Sequence, residues 1–181
     1  MNHPAIILVE PQLSSNMGMV ARAMANFALP ELRLVRPKES HLDERARAAA
    51  AGADEILEKA VLFDSLETAI ADLHVVHATT ARQRDLVIHI RTPEQVAETI
   101  QEDLDKGLKT GILFGRENSG LTNDEIALSD GIIVIPVNPE FASLNLSQAV
   151  MVFAYEWLKQ SGRAALGRRT EFDGPMQEGF H

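Results

Sequence analysis

Short runs of aliphatic and β-branched residues alternate along this chain with stretches in which apolar positions recur every three or four residues. The runs at 5–10 (AIILVE), 32–35 (LRLV), 73–78 (LHVVHA), 110–115 (TGILFG) and 131–137 (GIIVIPV) are mostly continuous rather than alternating. A strand without in–out alternation is buried on both faces, which predicts the inner strands of a parallel sheet. Between these runs the spacing predicts helices around 17–28, 41–51, 64–72, 94–105 and 123–128. A last helix starts at Leu146, because Leu146, Ala149, Val150, Phe153, Ala154, Trp157 and Leu158 fall on one face. Such alternation predicts an α/β fold, a parallel sheet with helices on both faces joined by right-handed crossovers. Gly52 directly follows the alanine-rich ERARAAAA and is expected to cap that helix. After Gly162 the pattern dissolves into RAALGRRTEFDGPMQEGFH. Residues 1–162 therefore read as one domain, and 163–181 as a tail or the start of a C-terminal extension.

Composition narrows this picture. A chain of 181 residues is long enough for a proper core, and its 45% hydrophobic and 24% charged residues are ordinary for a globular domain. It has no cysteine, which excludes disulfides and thiolate metal sites and suits a reducing compartment. The start, MNHPAIILVEPQ, lacks the basic region and apolar stretch of a signal peptide, and no apolar run approaches membrane-spanning length, so a cytoplasmic protein is expected. The formal net charge of −9 disfavours nucleic-acid binding without excluding it, since phosphate attraction depends on local cations. Arg33, Arg36 and Lys38 lie together, as do Arg82, Arg84 and Arg91, and then Arg163, Arg168 and Arg169. Taken singly, each cluster is simply solvated surface charge. His74 and His77 stand three apart on a strand and point to opposite faces, so no metal is expected.

In open α/β sheets ligands bind beyond the carboxyl ends of the strands. The first such segment, EPQLSSNMGMVARAMANF, lacks the G-x-G-x-x-G of dinucleotide sites. Ser14, Ser15 or Asn16 is expected to cap a helix buried through Met17, Val20, Ala21, Met24 and Phe27. Arg22 and Asn26 lie on its other side, where Arg22 by itself reads as surface charge; Gly18 permits close approach by another backbone or a ligand. TTARQRD places Thr79 and Thr80 at the end of a buried strand, where a turn is the simpler explanation. ILFGRENSGLTNDEI is more informative. Thr122 with Glu125 forms a capping box, which confines the unusual part to 115–121. That part is neither a P-loop nor a nucleophile elbow. Glu117, a carboxylate between Gly115 and Gly120 at a strand end, suggests binding. In IPVNPEFASLNLSQAV, Asn145 and Gln148 form a capping pair, which leaves Ser143 and the preceding NPEF unexplained.

The stretches NMGMVARAMANF, FGRENSGL and IPVNPEFASLNLSQAV, in this order, resemble the three motifs of the SpoU/TrmH branch of SPOUT RNA 2'-O-methyltransferases. The resemblance spans about residues 4–160. NPEFASLNLSQAV with the later AYE, together with TTARQRD, is most similar to the branch that methylates a pyrimidine ribose, cytidine or uridine at position thirty-two, in the tRNA anticodon loop. It implies a deep trefoil knot in the C-terminal half, S-adenosylmethionine as cofactor, no metal, and a homodimer with RNA bound across both subunits. Thr79, Thr80 and Ala81 match one cofactor loop, Gly115 and Glu117 a second, and Ile135, Ala142, Ser143 and Leu144 a third. Asn16, Arg22, Glu117, Ser143 and Asn145 match the residues of catalysis or substrate positioning, and Arg22, Arg82 and Arg84 are the expected RNA contacts. Because a free guanidinium stays protonated throughout the physiological range, Arg22 suits a phosphate clamp and alkoxide stabiliser better than a general base. A ribosomal-RNA methyltransferase of the same fold and a catalytically silent RNA-binding module are the competing readings.

Overall fold

The computed structural model describes residues 2–80 and 89–162. Three strands form the buried heart of the sheet: β1 (Ala5–Val9), β2 (Leu32–Val35) and β6 (Thr110–Phe114), with no exposed residue in any of them. β4 (Val75–Thr79) and β7 (Gly131–Ile133) continue it, and β3 (Val61–Phe63) and β5 (Ile90–Arg91) form its edges. Among the described residues the sheet has seven strands, all parallel, in the order β3-β2-β1-β6-β4-β7-β5. The chain steps outward from β1 to β3, crosses to β4, and later returns to insert β6 between β1 and β4. Ile6 then stands opposite Ile112. β7 enters between β4 and β5 in the same way.

Because successive side chains alternate, β1 feeds two cores. Ile6 and Leu8 join the apolar residues of α1 (Ser14–Asn26), α2 (Glu44–Ala50), α3 (Asp54–Lys59), α5 (Pro93–Asp105) and α7 (Leu146–Gln160). Ala5, Ile7 and Val9 face α4 (Leu66–Ile70) and α6 (Asn123–Ala127) on the other side. The expected parallel sheet with helices on both faces is thus observed. On the first face α1 and α7 run side by side in one direction. Their amino ends meet through Asn16 and Asn145, and near their carboxyl ends the Phe27 and Tyr155 rings stack edge to face at 6.0 Å. Gly18 is where α1 crosses α2: a Cβ there would lie 2.1 Å from the carbonyl oxygen of Ala46. The close approach anticipated for this glycine is to a backbone, not to a ligand.

Several local expectations need correction. α3, β3 and β5 appear where no element is expected; they have six, three and two residues, too few to carry a periodic signal. β7 stops at Ile133 rather than 137, because the following residues leave the sheet to line a cavity. α2 is capped by Ala51, itself left-handed at φ 48°, with Gly52 only the next residue. Most consequential, neither Ser14, Ser15 nor Asn16 caps α1. Its N-cap is Leu13, whose side chain has nothing to offer the exposed amides.

Candidate active site

The carboxyl ends of β4, β6 and β7 surround a cavity of about 450 Å³. Thr79 and Thr80 enter it from the end of β4, Gly115 and Glu117 from the turn after β6, and Ile135, Ala142, Ser143 and Leu144 from the segment between β7 and α7. Segments distant in sequence therefore meet in one volume of the size that holds a small organic ligand. Its wall mixes apolar side chains (Phe114, Leu121, Ile135, Val137, Leu144) with a few polar groups. Thr79 lines this wall, and its Oγ1 is buried with no hydrogen-bond partner among the described residues. An unpartnered polar group is costly to bury, so a ligand that bonds to this hydroxyl would recover that cost.

The turn after β6 is folded tightly on itself. Arg116 and Gly120 exchange both backbone hydrogen bonds, at 3.3 and 2.9 Å, and Gly120 takes a left-handed φ of 69°. A Cβ on Gly115 would lie 2.2 Å from the Gly120 carbonyl carbon, so only glycine fits there. The expected capping box at Thr122 and Glu125 closes the turn onto α6. Burial pushes the Glu125 carboxyl upward, but hydrogen bonds from the Arg116 guanidinium and the Thr122 amide hold it below the usual carboxylate range.

Glu117 takes over the work that the α1 sequence leaves undone. Its carboxylate accepts the backbone N–H of Gln12 at 2.9 and 3.0 Å, that of Leu13 at 2.9 Å, and the side-chain amide of Asn16 at 3.2 Å. Glu39 accepts the N–H of Ser14 at 2.8 Å. Two carboxylates from other parts of the chain thus cover the positive end of the helix. Asn16 passes the connection on: its Oδ1 accepts from Asn145 Nδ2 at 3.3 Å. Asn145 is also the N-cap of α7, with its Oδ1 bonded to Ser147 and the Gln148 side chain returning to its amide, as the capping pair predicts. Glu117, Asn16 and Asn145 therefore form one polar chain joining the starts of both helices to the cavity turn.

Arg22 stands apart from this group. It is exposed on α1, six residues beyond Asn16, and does not line the cavity. Among the described residues it has no hydrogen-bond or ion-pair partner. Ala81, Arg82 and Arg84 lie outside the described residues. The sequence reading passed over Arg116, which lines the cavity beside Glu117. Only the fold shows it held between the Gly120 carbonyl, Glu125 and Glu10.

Residues 3–155 match the SpoU rRNA methylase family. The chain belongs to that family. A curated relative, the tRNA (cytidine/uridine/adenosine-2'-O-)-methyltransferase TrmJ of Pseudomonas aeruginosa (strain UCBPP-PA14), is 39% identical over 168 residues, 93% of this chain and 65% of the relative. The crystal structure of TrmJ from Z. mobilis ZM4 is 48% identical and superimposes with a TM-score of 0.81, covering 95% of this chain and 72% of that one. The SpoU methyltransferase AviRb from Streptomyces viridochromogenes, solved in complex with AdoMet, shares the fold at 18% identity (TM-score 0.65, 88% of this chain and 58% of that one). This SpoU family chain spans about two thirds of the length of the curated relatives it matches.

Proposed function

We propose that this SpoU family domain transfers the methyl group of S-adenosylmethionine to a ribose 2'-hydroxyl of tRNA, at a pyrimidine in position thirty-two of the anticodon loop. The observation that carries the reading is the single cavity that gathers Thr79, Gly115, Ile135 and Ser143 from separate strand ends. Its residues fit the cofactor: apolar walls for an adenine ring, and a buried, unpartnered threonine hydroxyl for a polar edge. A cofactor bound there would supply an electrophilic methyl on a positive sulfur. The methyl–sulfur bond breaks as the oxygen–methyl bond forms and the hydroxyl proton leaves to water, so the protein's own task is to orient the hydroxyl and stabilise the developing alkoxide.

Arg22 is the residue assigned to that task. An exposed guanidinium with no described partner is available to fork onto a phosphate of the RNA backbone beside the reacting ribose. Because Arg22 does not line the cavity of its own chain, the reading includes a homodimer with RNA bound across both copies. Met19 on α1 and Met151, Val152 and Tyr155 on α7 supply exposed apolar area for the contact. Insertion of β6 and β7 between earlier strands suits a trefoil knot in the C-terminal half. Asn16, Glu117 and Asn145 then hold the two helices in register with the cavity, while Ser143 faces the ligand. The expected RNA contacts at Arg82 and Arg84 belong to the same proposal, as do a cytoplasmic location and a C-terminal segment, 163–181, outside the catalytic domain. No helix among the described residues is long and apolar enough to cross a membrane.

The test is transfer of labelled methyl to unmodified tRNA and to ribosomal RNA, followed by mapping of the modified ribose. Label in an anticodon-loop pyrimidine of tRNA supports the reading; label only in ribosomal RNA, or none with cofactor bound, refutes it. Arg22→Ala is expected to abolish transfer with cofactor affinity unchanged, and Arg22→Lys to recover only part of the rate, since a point charge lacks the fork. Normal turnover by Arg22→Ala would remove Arg22 from the mechanism.

A further inference from the structure

We infer that Arg116 is a positioning residue for the cofactor: its guanidinium ties the end of β1, the turn after β6 and the start of α6 together and so holds the cavity wall in its binding shape. The inference rests on reading the cavity as the S-adenosylmethionine site. Arg116 meets Glu125 as a fork, Nη1 to Oε2 at 3.1 Å and Nη2 to Oε1 at 2.8 Å. Nη1 also donates to the carbonyl of Gly120 at 3.3 Å, and Nη2 pairs with the Glu10 carboxylate. Most of its donors are thus committed to protein groups, and the side chain is only 17% exposed.

The network reaches further along the strand ends. Glu10 accepts from Arg36 Nε at 3.2 Å, and Arg36 Nη1 donates to the carbonyl of Asp64 at 2.7 Å. Glu10 and Arg36 each follow directly on a strand, and each holds a left-handed backbone, φ 49° and 42°. That conformation is uncommon for non-glycine residues, and here it recurs at the ends of the paired strands β1 and β2. Two arginines and two glutamates therefore form a row, Arg36, Glu10, Arg116, Glu125, across the sheet end beside the cavity.

Charge gives the row a second consequence. The cofactor carries a positive sulfonium, and an unpaired arginine at the wall would repel it. In the row each guanidinium is matched by a carboxylate, so the wall presents geometry without net positive charge. Loss of the methyl leaves S-adenosylhomocysteine, whose sulfur is a neutral thioether while its ammonium and carboxylate are unchanged, so the difference between the two ligands reports the sulfonium charge alone. The two ligands therefore separate shape from electrostatics.

The experiment is calorimetric titration of S-adenosylmethionine and S-adenosylhomocysteine into the wild-type chain, Arg116→Met, Arg116→Lys and Glu10→Gln, each well below its melting temperature. Arg116→Met is expected to weaken both ligands by about tenfold or more, and Arg116→Lys by less, because lysine keeps the charge and loses the fork. In turnover with RNA, KM for the cofactor should rise by more than kcat falls. Glu10→Gln should weaken the sulfonium ligand more than the thioether. Wild-type affinity in both Arg116 variants would overturn the inference; if Arg116→Met does not fold, wild-type affinity in Arg116→Lys alone would do so. Equal losses of the two ligands in Glu10→Gln would overturn the charge argument. A wild-type chain that binds neither ligand would instead overturn the reading of the cavity.

Discussion

Replacing Glu117 by alanine should unsettle α1 before it affects any chemistry. The carboxylate accepts three backbone contacts between 2.9 and 3.0 Å and the Asn16 amide at 3.2 Å, at a helix start whose own N-cap, Leu13, contributes none. Loss of a capping acceptor costs about 0.5–2 kcal/mol. Loss of a negative charge at a helix amino end adds roughly 0.3–1 kcal/mol. Together they predict destabilisation of about 1–3 kcal/mol for Glu117→Ala. At about 2–4 °C per kcal/mol for a domain of this size, melting should fall by roughly 2–12 °C. Glu117→Gln keeps one acceptor oxygen without the charge and should lose about half as much. Urea denaturation monitored by far-ultraviolet circular dichroism measures both variants, and methyl transfer well below the transition measures function. If Glu117 is a remote cap, turnover of the glutamine variant should follow the folded fraction. Stability unchanged in both variants, within about 0.3 kcal/mol, would refute the capping argument. A folded glutamine variant with no turnover would return Glu117 to the chemistry.

Gly18→Ala should destabilise the fold although alanine is the better helix former by about 1 kcal/mol, because the new Cβ would meet the Ala46 carbonyl oxygen at 2.1 Å. Overpacking costs about 1–3 kcal/mol or more against a backbone that cannot rotate away, so a variant more stable in urea than wild type would show that α1 and α2 part easily. His77, 2% exposed with neither ring nitrogen hydrogen-bonded, should make the fold acid-sensitive. Burial lowers its pKa below the usual 6.5, helped by Arg91 and opposed by Asp103 and Asp130. The unfolded chain therefore takes up the proton first. The stabilisation is complete above pH 6.5 and is lost as pH falls from there toward the folded value, at up to about 1.4 kcal/mol per unit. His77→Leu should flatten the stability profile between pH 7.5 and 5.5, and an unchanged slope would reject the assignment.

The inner strands were legible because burial on both faces writes itself as continuous apolar sequence, as in AIILV and TGILF. The capping boxes at Thr122 and Asn145 were legible because both partners lie within one turn. β3 and β5 were not, since edge strands as short as VLF and IR bury too little to show a pattern. The cap of α1 was misread for a different reason. Three polar residues at its start look sufficient, but the acceptor that replaces them sits 105 residues away from Gln12. Nothing near Leu13 announces it. The same separation hid the roles of Arg116 and Glu10: each looks like ordinary surface charge until β1 and β6 become neighbours.

The insertion of β6 between β1 and β4 also sets an order of events on the ribosome. When residues 1–80 have been made, β1 and β4 both present an open edge, and the strand that closes them has not yet been synthesised. Pairings of such sequence separation are slow to form, and open edges invite pairing with other chains. At about 5–20 residues per second the nascent chain waits seconds for Phe114 to appear, and longer for Asn145 to reach Asn16. Because its lining runs from Thr79 to Ala149, the cavity cannot close before the sheet is complete, and a molecule bound there would stabilise only chains that have completed it.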